Sequence, residues 1–388
     1  MTIKRLFIFL GIFIFLILSL AGCSSSGGSE SSCATLSCLV TSGLDSLSQG
    51  NVTEAKDYFK AAVDNYPGDS TNDGDTARFF YAFTRIAGIN LNSDGNSADL
   101  NSMGDILDRA DCSAGGRNII NLELTMTCPG LSSATSSATI HSSPSALASD
   151  FPTGTQMQTF VYNVIRPELE AALVNLNGVS ASFTRTWTNP IDSKSYISDY
   201  ADVLVLRAAI KGALAAIHMQ HTYNLNADID VEVNDTDNTV QTFLSRNTDF
   251  LKLMAGDYST SRNTAKTYLG QVADDLSAAI DKIKTRNTAA YFINLVDMTT
   301  PEIDDAKAKI ASGKSSLTGQ TTIDDRGTVS TADDIIINLS FFFAGLDLRA
   351  LLPAFTGNTP GGLPDPTMGG IIVGGTDTNG NGIPDILE

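Results

Sequence analysis

Histidine, tryptophan and positive charge are scarce in this sequence. It holds three histidines and one tryptophan in 388 residues, and 25 Lys and Arg against 43 Asp and Glu. So few imidazoles, with no Gly-x-Ser-x-Gly element, leave nucleophilic catalysis little to build on. Gly361-Gly362 and Gly369-Gly370 lie in Pro-rich sequence rather than at a strand-to-helix junction, so no phosphate cradle is expected. No Cys-x-x-Cys pair recurs at zinc-site spacing. The net charge of −18 argues against nucleic acid and against docking on anionic headgroups, and suits divalent cations. What is present is 42 % hydrophobic residues, the composition of a folded chain rather than a disordered one.

The first residues have three parts. Lys4 and Arg5 are basic, Leu6 to Leu20 form an apolar run, and Leu20-Ala21-Gly22-Cys23 follows. That order is the layout of a secretory signal, and the run is short for a membrane span, which needs roughly 20 apolar residues. The tetrapeptide resembles the lipobox of bacterial lipoproteins. The resemblance implies a diacylglyceryl group on the Cys23 thiol, cleavage before it, loss of residues 1–22, and further acylation of the new N-terminus. Losing Lys4 and Arg5 takes the net charge from −18 to −20. Two or three acyl chains, at about 0.8 kcal/mol per buried CH₂, make such an anchor stable. Ser24 to Ser32 is rich in Ser and Gly, the composition of a flexible tether, and residues 23–40 are expected to serve as one. In the sorting rule of such lipoproteins an Asp after the cysteine retains the protein at the inner membrane. Ser24 stands there, which points to the outer membrane.

Cys33, Cys38, Cys112 and Cys128 remain. An even count in an exported chain suggests two disulfides. Three connectivities exist; proximity favours Cys33–Cys38 and Cys112–Cys128, each closing a short loop.

Residues 41–68 read TSGLDSLSQGNVTEAKDYFKAAVDNYPG and resemble one tetratricopeptide repeat. Gly43 allows close helix approach, Gly50 lies at the turn, Ala55, Phe59 and Ala62 form one stripe, and Pro67 ends the unit. A single repeat cannot bury its own face, so neighbouring helices must complete the stack. Further helices are expected over Thr76–Ile86, Ala98–Arg109, Thr155–Leu176 with a kink or a fresh start forced by Pro167, Asp199–Tyr223, Asn238–Met254 as one or two helices, Ser261–Arg286, and from Thr300. Asp199–Tyr223 is almost wholly apolar, as befits a buried central helix. Thr321–Ile323 and Ile335–Leu339 are expected to pair as a hairpin. The fold expected is mainly α: an irregular tetratricopeptide-like array over residues 41–314, a small β-hairpin and loop cap over 315–370, and a tail over 371–388.

That tail carries the sharpest candidate site. Asp377, Asn379, Asn381, Asp385 and Glu388 place oxygens at positions 1, 3, 5, 9 and 12 of a loop with Gly382 at position 6. The Ile383 carbonyl, at position 7, completes the shell of a calcium loop. The Gly-Ile-Pro-Asp ending resembles thrombospondin type-3-like calcium repeats more than an EF-hand. With asparagine at two ligand positions the affinity implied is on the order of 10⁻⁴–10⁻³ M. The acidic stretches at Asp69, Asp73 and Asp75, at Asn90, Asn92 and Asp94, and at Asp228 to Asp237 are read as surface loops. His218 and His221 lie three apart, but His-Met-Gln-His lacks a zincin's glutamate and spacing, so packed or capping roles are expected. Trp187, in SFTRTWTNP, is read as a packing residue with a glycan contact as its alternative.

Together these features suggest a non-catalytic, lipid-anchored scaffold or protein-interaction lipoprotein of the cell envelope, with an envelope protein as partner. The alternative is a surface lipoprotein that binds a glycan or another solute.

Overall fold

In the computed structural model the described residues are 33–89, 100, 105, 113–114, 126–127, 152–190, 192–228, 231–232, 239–286, 288, 290–295, 298–324 and 334–387. Cys23, Cys112, Cys128 and Glu388 lie outside them. So do the signal, most of Ala98–Arg109, and the Asn90–Asp94 stretch. The fold is mainly α, with only two-stranded antiparallel sheets among the described residues.

The chain begins its packed part earlier than the tether expected over residues 23–40 allows. Helix α1 spans Leu36–Ser48. Thr35 starts it by accepting the Cys38 N–H at 3.3 Å, the ordinary N-cap bond. A disulfide joins Cys33 to Cys38 and ties the entering strand to the first turn. Leu39, Val40, Gly43 and Leu47 form its buried face. Gly50, at φ +82°, reverses the chain, a conformation that costs glycine little. Helix α2, Val52–Asn65, returns with Ala55, Phe59 and Ala62 buried. A Cβ on Gly43 would stand 2.7 Å from the Phe59 ring, so the two helices touch at a position only hydrogen fits.

Helix α3, Asn72–Ala87, is started by Thr71 and carries Phe79, Phe80 and Phe83 into the core. Phe80 stacks on Phe59 at 5.5 Å and meets Trp187 edge-on at 5.4 Å. A two-residue pair, β1 (Ser113–Ala114) with β2 (Met126–Thr127), follows. Helix α4 (Gly154–Phe160) then runs through a π-helical turn (Val161–Ile165) into α5 (Arg166–Asn177). Pro167 falls in the first turn of α5. There the N–H that proline lacks is not needed, and the α-helix starts afresh after the π-helical turn.

Trp187 sits on a hairpin of β3 (Thr184–Thr188) and β4 (Ser195–Asp199). It is buried, and its indole N–H donates to Ser198 Oγ at 2.9 Å. The packing role expected of it is the one observed.

Helix α6, Tyr200–Gln220, starts at a reciprocal cap between Asp199 and Asp202. Helix α7 covers only Val240–Arg246 of the expected Asn238–Met254. The backbone of Leu251 and Met254 bonds instead to Asn224 and Thr222, so that stretch is pinned to the segment after α6. Helix α8, Ser259–Ile283, packs along α6, and α9, Thr300–Ser316, packs along α8.

The cap begins with β5 (Thr321–Asp324) paired to β6 (Ile335–Ile337), then short helices α10 (Ser340–Phe343) and α11 (Leu348–Leu351). A boundary at residue 370 does not exist. Asn338 N–H donates to Ile371 O at 2.8 Å and Val373 N–H to Ile336 O at 3.0 Å. Residues 371–373 therefore lie along the β6 edge and belong to the cap.

Candidate functional site: a polar aromatic cleft and a C-terminal oxygen loop

The central helix is not apolar all round. Tyr200, Arg207, Lys211 and His218 fall at spacings of seven, four and seven along α6, which places them on one stripe. Midway along, Asp275 of α8 receives Lys211 Nζ at 2.6 Å and Arg207 at 3.2 Å. Lys211 and Asp275 are both buried. The buried pair depends on itself, and removing either partner would strand the other.

Further along the stripe, rings from three elements converge. Tyr162 of the π-helical turn stacks on His221 with centroids 3.7 Å apart and planes at 12°. The same tyrosine meets His218 edge-on at 5.9 Å. Tyr268 of α8 lies 6.0 Å from the His218 ring, and Tyr258 meets His221 edge-on at 5.5 Å. The Arg166 guanidinium lies 4.1 Å over the Tyr162 ring and pairs with Glu170 at 3.2 Å. Burial first, then the positive field of Arg166, holds both imidazoles below their usual range. Burial raises the Tyr268 phenol, with Glu170 adding to it.

His218 is only 6 % exposed and its Nδ1 has no hydrogen-bond partner. An orphaned buried polar atom of this kind costs about 1–3 kcal/mol. Beside Tyr268 a cleft of about 440 Å³ runs along α8, lined by Thr260, Asn263, Thr264, Thr267, Tyr268 and Gln271. Every one of those side chains is an uncharged hydrogen-bonding group. The packed role expected of the His218–His221 pair is seen in its ring contacts. Sequence spacing did not reveal that Tyr162 and Tyr268 would meet them. Tyr162, Arg166 and Glu170 follow helical spacing, as do Tyr268, Gln271 and Asp275, but which stripes face each other is a tertiary fact.

The C-terminal loop folds around its own side chains. The Asn381 N–H donates to both Asp377 Oδ1 at 3.1 Å and Asn379 Oδ1 at 3.0 Å, which gathers those oxygens. Asn381 Oδ1 accepts from the Ile383 N–H at 2.9 Å. Asp377 Oδ2 accepts from Leu363 at 2.7 Å and Gly382 at 3.2 Å, docking the loop on the cap. Gly380 and Gly382 have φ of +68° and +83°. Asp385 stands differently: its carboxylate accepts from Thr376 and Thr378, the latter through both N–H and hydroxyl. Those bonds, with Thr378 first, hold it below the usual carboxylate range. It staples the loop ends, while Asp377, Asn379 and Asn381 form the gathered set. Among the described residues no three His, Cys, Asp or Glu side chains are grouped to hold a metal. A cation here would rest on amide and carbonyl oxygens as much as on carboxylates.

Among the described residues of the other acidic stretches the expectation of surface loops holds only in part, since Asp73 and Asp75 lie in the first turn of α3 and Asp75 is buried. Asp69 accepts from Thr71 ahead of α3. Asp75 pairs with Arg78, and Glu232 accepts from Asn247. Compared with known protein families, with curated proteins and with solved structures, the chain matches none.

Proposed function

We propose that this protein is a non-catalytic, lipid-anchored scaffold of the cell envelope, held at the outer membrane through Cys23 and engaging an envelope protein partner. The observation that supports it most is the contact of Gly43 on Phe59. Tetratricopeptide-type hairpins are built on such contacts, and stacks of them present extended surfaces to other polypeptides. The LAGC sequence supplies the anchor. In-membrane crosslinking of the lipidated protein tests this. One envelope protein recovered in stoichiometric yield is expected; retention on polysaccharide with no protein partner contradicts it.

The C-terminal loop belongs to this reading as a weak calcium site. Asp377, Asn379, Asn381, Asp385 and Glu388 would contribute side-chain oxygens and Ile383 its carbonyl, toward the six to eight that calcium takes. Calorimetric titration of calcium into the full protein and into Asp377→Ala should give heat only in the first; equal heats sink the idea.

The uncharged cleft beside Tyr268 favours a second reading, in which the helical array itself holds a small ligand.

A further inference from the structure

We infer that Asn379 is a site of self-modification: its side-chain amide closes on the Gly380 nitrogen, ammonia leaves, and hydrolysis puts a carboxylate where the oxygen loop now has an amide. The sequence holds three Asn-Gly pairs, Asn177-Gly178, Asn379-Gly380 and Asn381-Gly382. Glycine matters in each because no Cβ shields the attacking nitrogen. Spacing ranks the three equally, and the structure does not. Asn177 ends α5, and the Gly178 N–H is spent on Asn175 O at 3.1 Å. The Gly382 N–H donates to Asp377 Oδ2 at 3.2 Å, and a carboxylate there opposes loss of the proton that ring closure requires.

Asn379 meets neither obstacle. Its Oδ1 accepts the Asn381 N–H at 3.0 Å, which closes an Asx turn with the Gly380 nitrogen inside it. The same bond draws electron density from the Cγ carbonyl. Among the described residues the Gly380 N–H has no acceptor. Asn379 and Gly380 are exposed, and at φ +68° Gly380 has no atom within 4 Å of where a Cβ would stand. In the first step the Gly380 nitrogen gives its proton to hydroxide and bonds to Cγ. The Cγ–Nδ2 bond breaks, and ammonia leaves with a proton from water. Water then opens the five-membered imide: breaking N–Cγ leaves Asp, and breaking the bond to the Asn379 carbonyl carbon leaves isoaspartate. The consequence for the loop rests on the calcium reading above. The Asp product adds a ligand charge beside Asp377, which tightens calcium. The isoaspartate product lengthens the backbone by one carbon and breaks the alternation that gathers the oxygens.

The test is incubation of the purified protein in mildly alkaline and mildly acidic buffer, with fragment mass spectra locating each gain of one mass unit. Asn379 is expected to convert first, several-fold ahead of Asn381 and at least tenfold ahead of Asn177, and faster in alkali. In urea the three rates should come together. Asn379→Gln, whose longer chain closes the ring poorly, should silence that position. Asn379 intact after the unfolded chain has converted, or Asn177 or Asn381 keeping pace with it in the folded protein, overturns the proposal. Calorimetry on Asn379→Asp, which stands for the Asp product, should show calcium bound several-fold tighter than by the parent. No heat from either protein overturns the calcium reading and leaves the modification standing.

Discussion

The N-terminal helices and the C-terminal cap are held together by different physics. From α1 to α3 the chain buries Val40, Leu47, Phe59, Phe80 and their neighbours almost completely, and ring contacts link three elements. From Asp334 to Leu387 the buried apolar residues are few: Phe343, Leu351, Ile372 and Pro384. The cap is held instead by carboxylates and amides bonded to nearby backbone, as Asp365 is to Thr367 and Gly369. Left-handed glycines at 345, 357, 369, 370, 374, 380 and 382 shape its turns. One region is fixed by the hydrophobic effect and packing. The other is fixed by turn chemistry, and should open by itself long before the helices do.

Truncation in the aromatic core should show the contrast most strongly. Phe59→Ala should cost about 3–5 kcal/mol, read as a fall in the urea midpoint at an unchanged slope. Gly43→Ala should cost about 1–3 kcal/mol by overpacking, because its methyl group meets the Phe59 ring. A Gly43→Ala variant as stable as the parent would mean the α1–α2 contact is looser than 2.7 Å. In the cap, Asp365→Ala removes bonds to Thr367 and Gly369, worth about 1–2 kcal/mol once its partial exposure is discounted. Hydrogen exchange should accelerate over residues 334–387 and stay constant over α1–α3. Acceleration in both would show that the two regions unfold as one.

The smallest effect is on pH dependence. Burial, against the pull of Arg286, pushes the Asp202 carboxyl up to about 6. Folded Asp202 thus binds its proton more tightly than unfolded Asp202, so its share of stability falls as pH rises from about 4 to about 6. His218 and His221 are depressed. Their share is present above about 6.5 and is lost as pH falls. The two slopes oppose each other. Urea midpoints between pH 4 and 8 should turn upward on acidification in a His218→Phe, His221→Phe variant, and steepen downward in Asp202→Asn.

The same contrast explains what was legible in the sequence. The α1–α2 hairpin was readable residue by residue, because Gly43, Gly50, Ala55 and Phe59 act through local spacing. The buried central helix and the β5–β6 hairpin were readable for the same reason. Helix in the stretch Asn238–Met254 ends at Arg246, because Asn224 and Thr222, distant in sequence, bond the backbone that follows. The cap boundary failed because Ile371 and Val373 bond to β6 across more than thirty residues. At the oxygen loop the gathering of Asp377, Asn379 and Asn381 followed their alternation, whereas the capture of Asp385 by two threonines did not. The ring cluster around His218 was not legible at all, since it exists only where the π-helical turn, α6 and α8 meet.

The functional account depends most on Cys23. Intact mass spectrometry of the protein extracted from membranes tests it directly. The account requires a chain that starts at Cys23, lacks residues 1–22, and carries the added mass of a diacylglyceryl group with or without a further acyl chain. A chain retaining Met1, or one starting at Cys23 with an unmodified thiol, would contradict it.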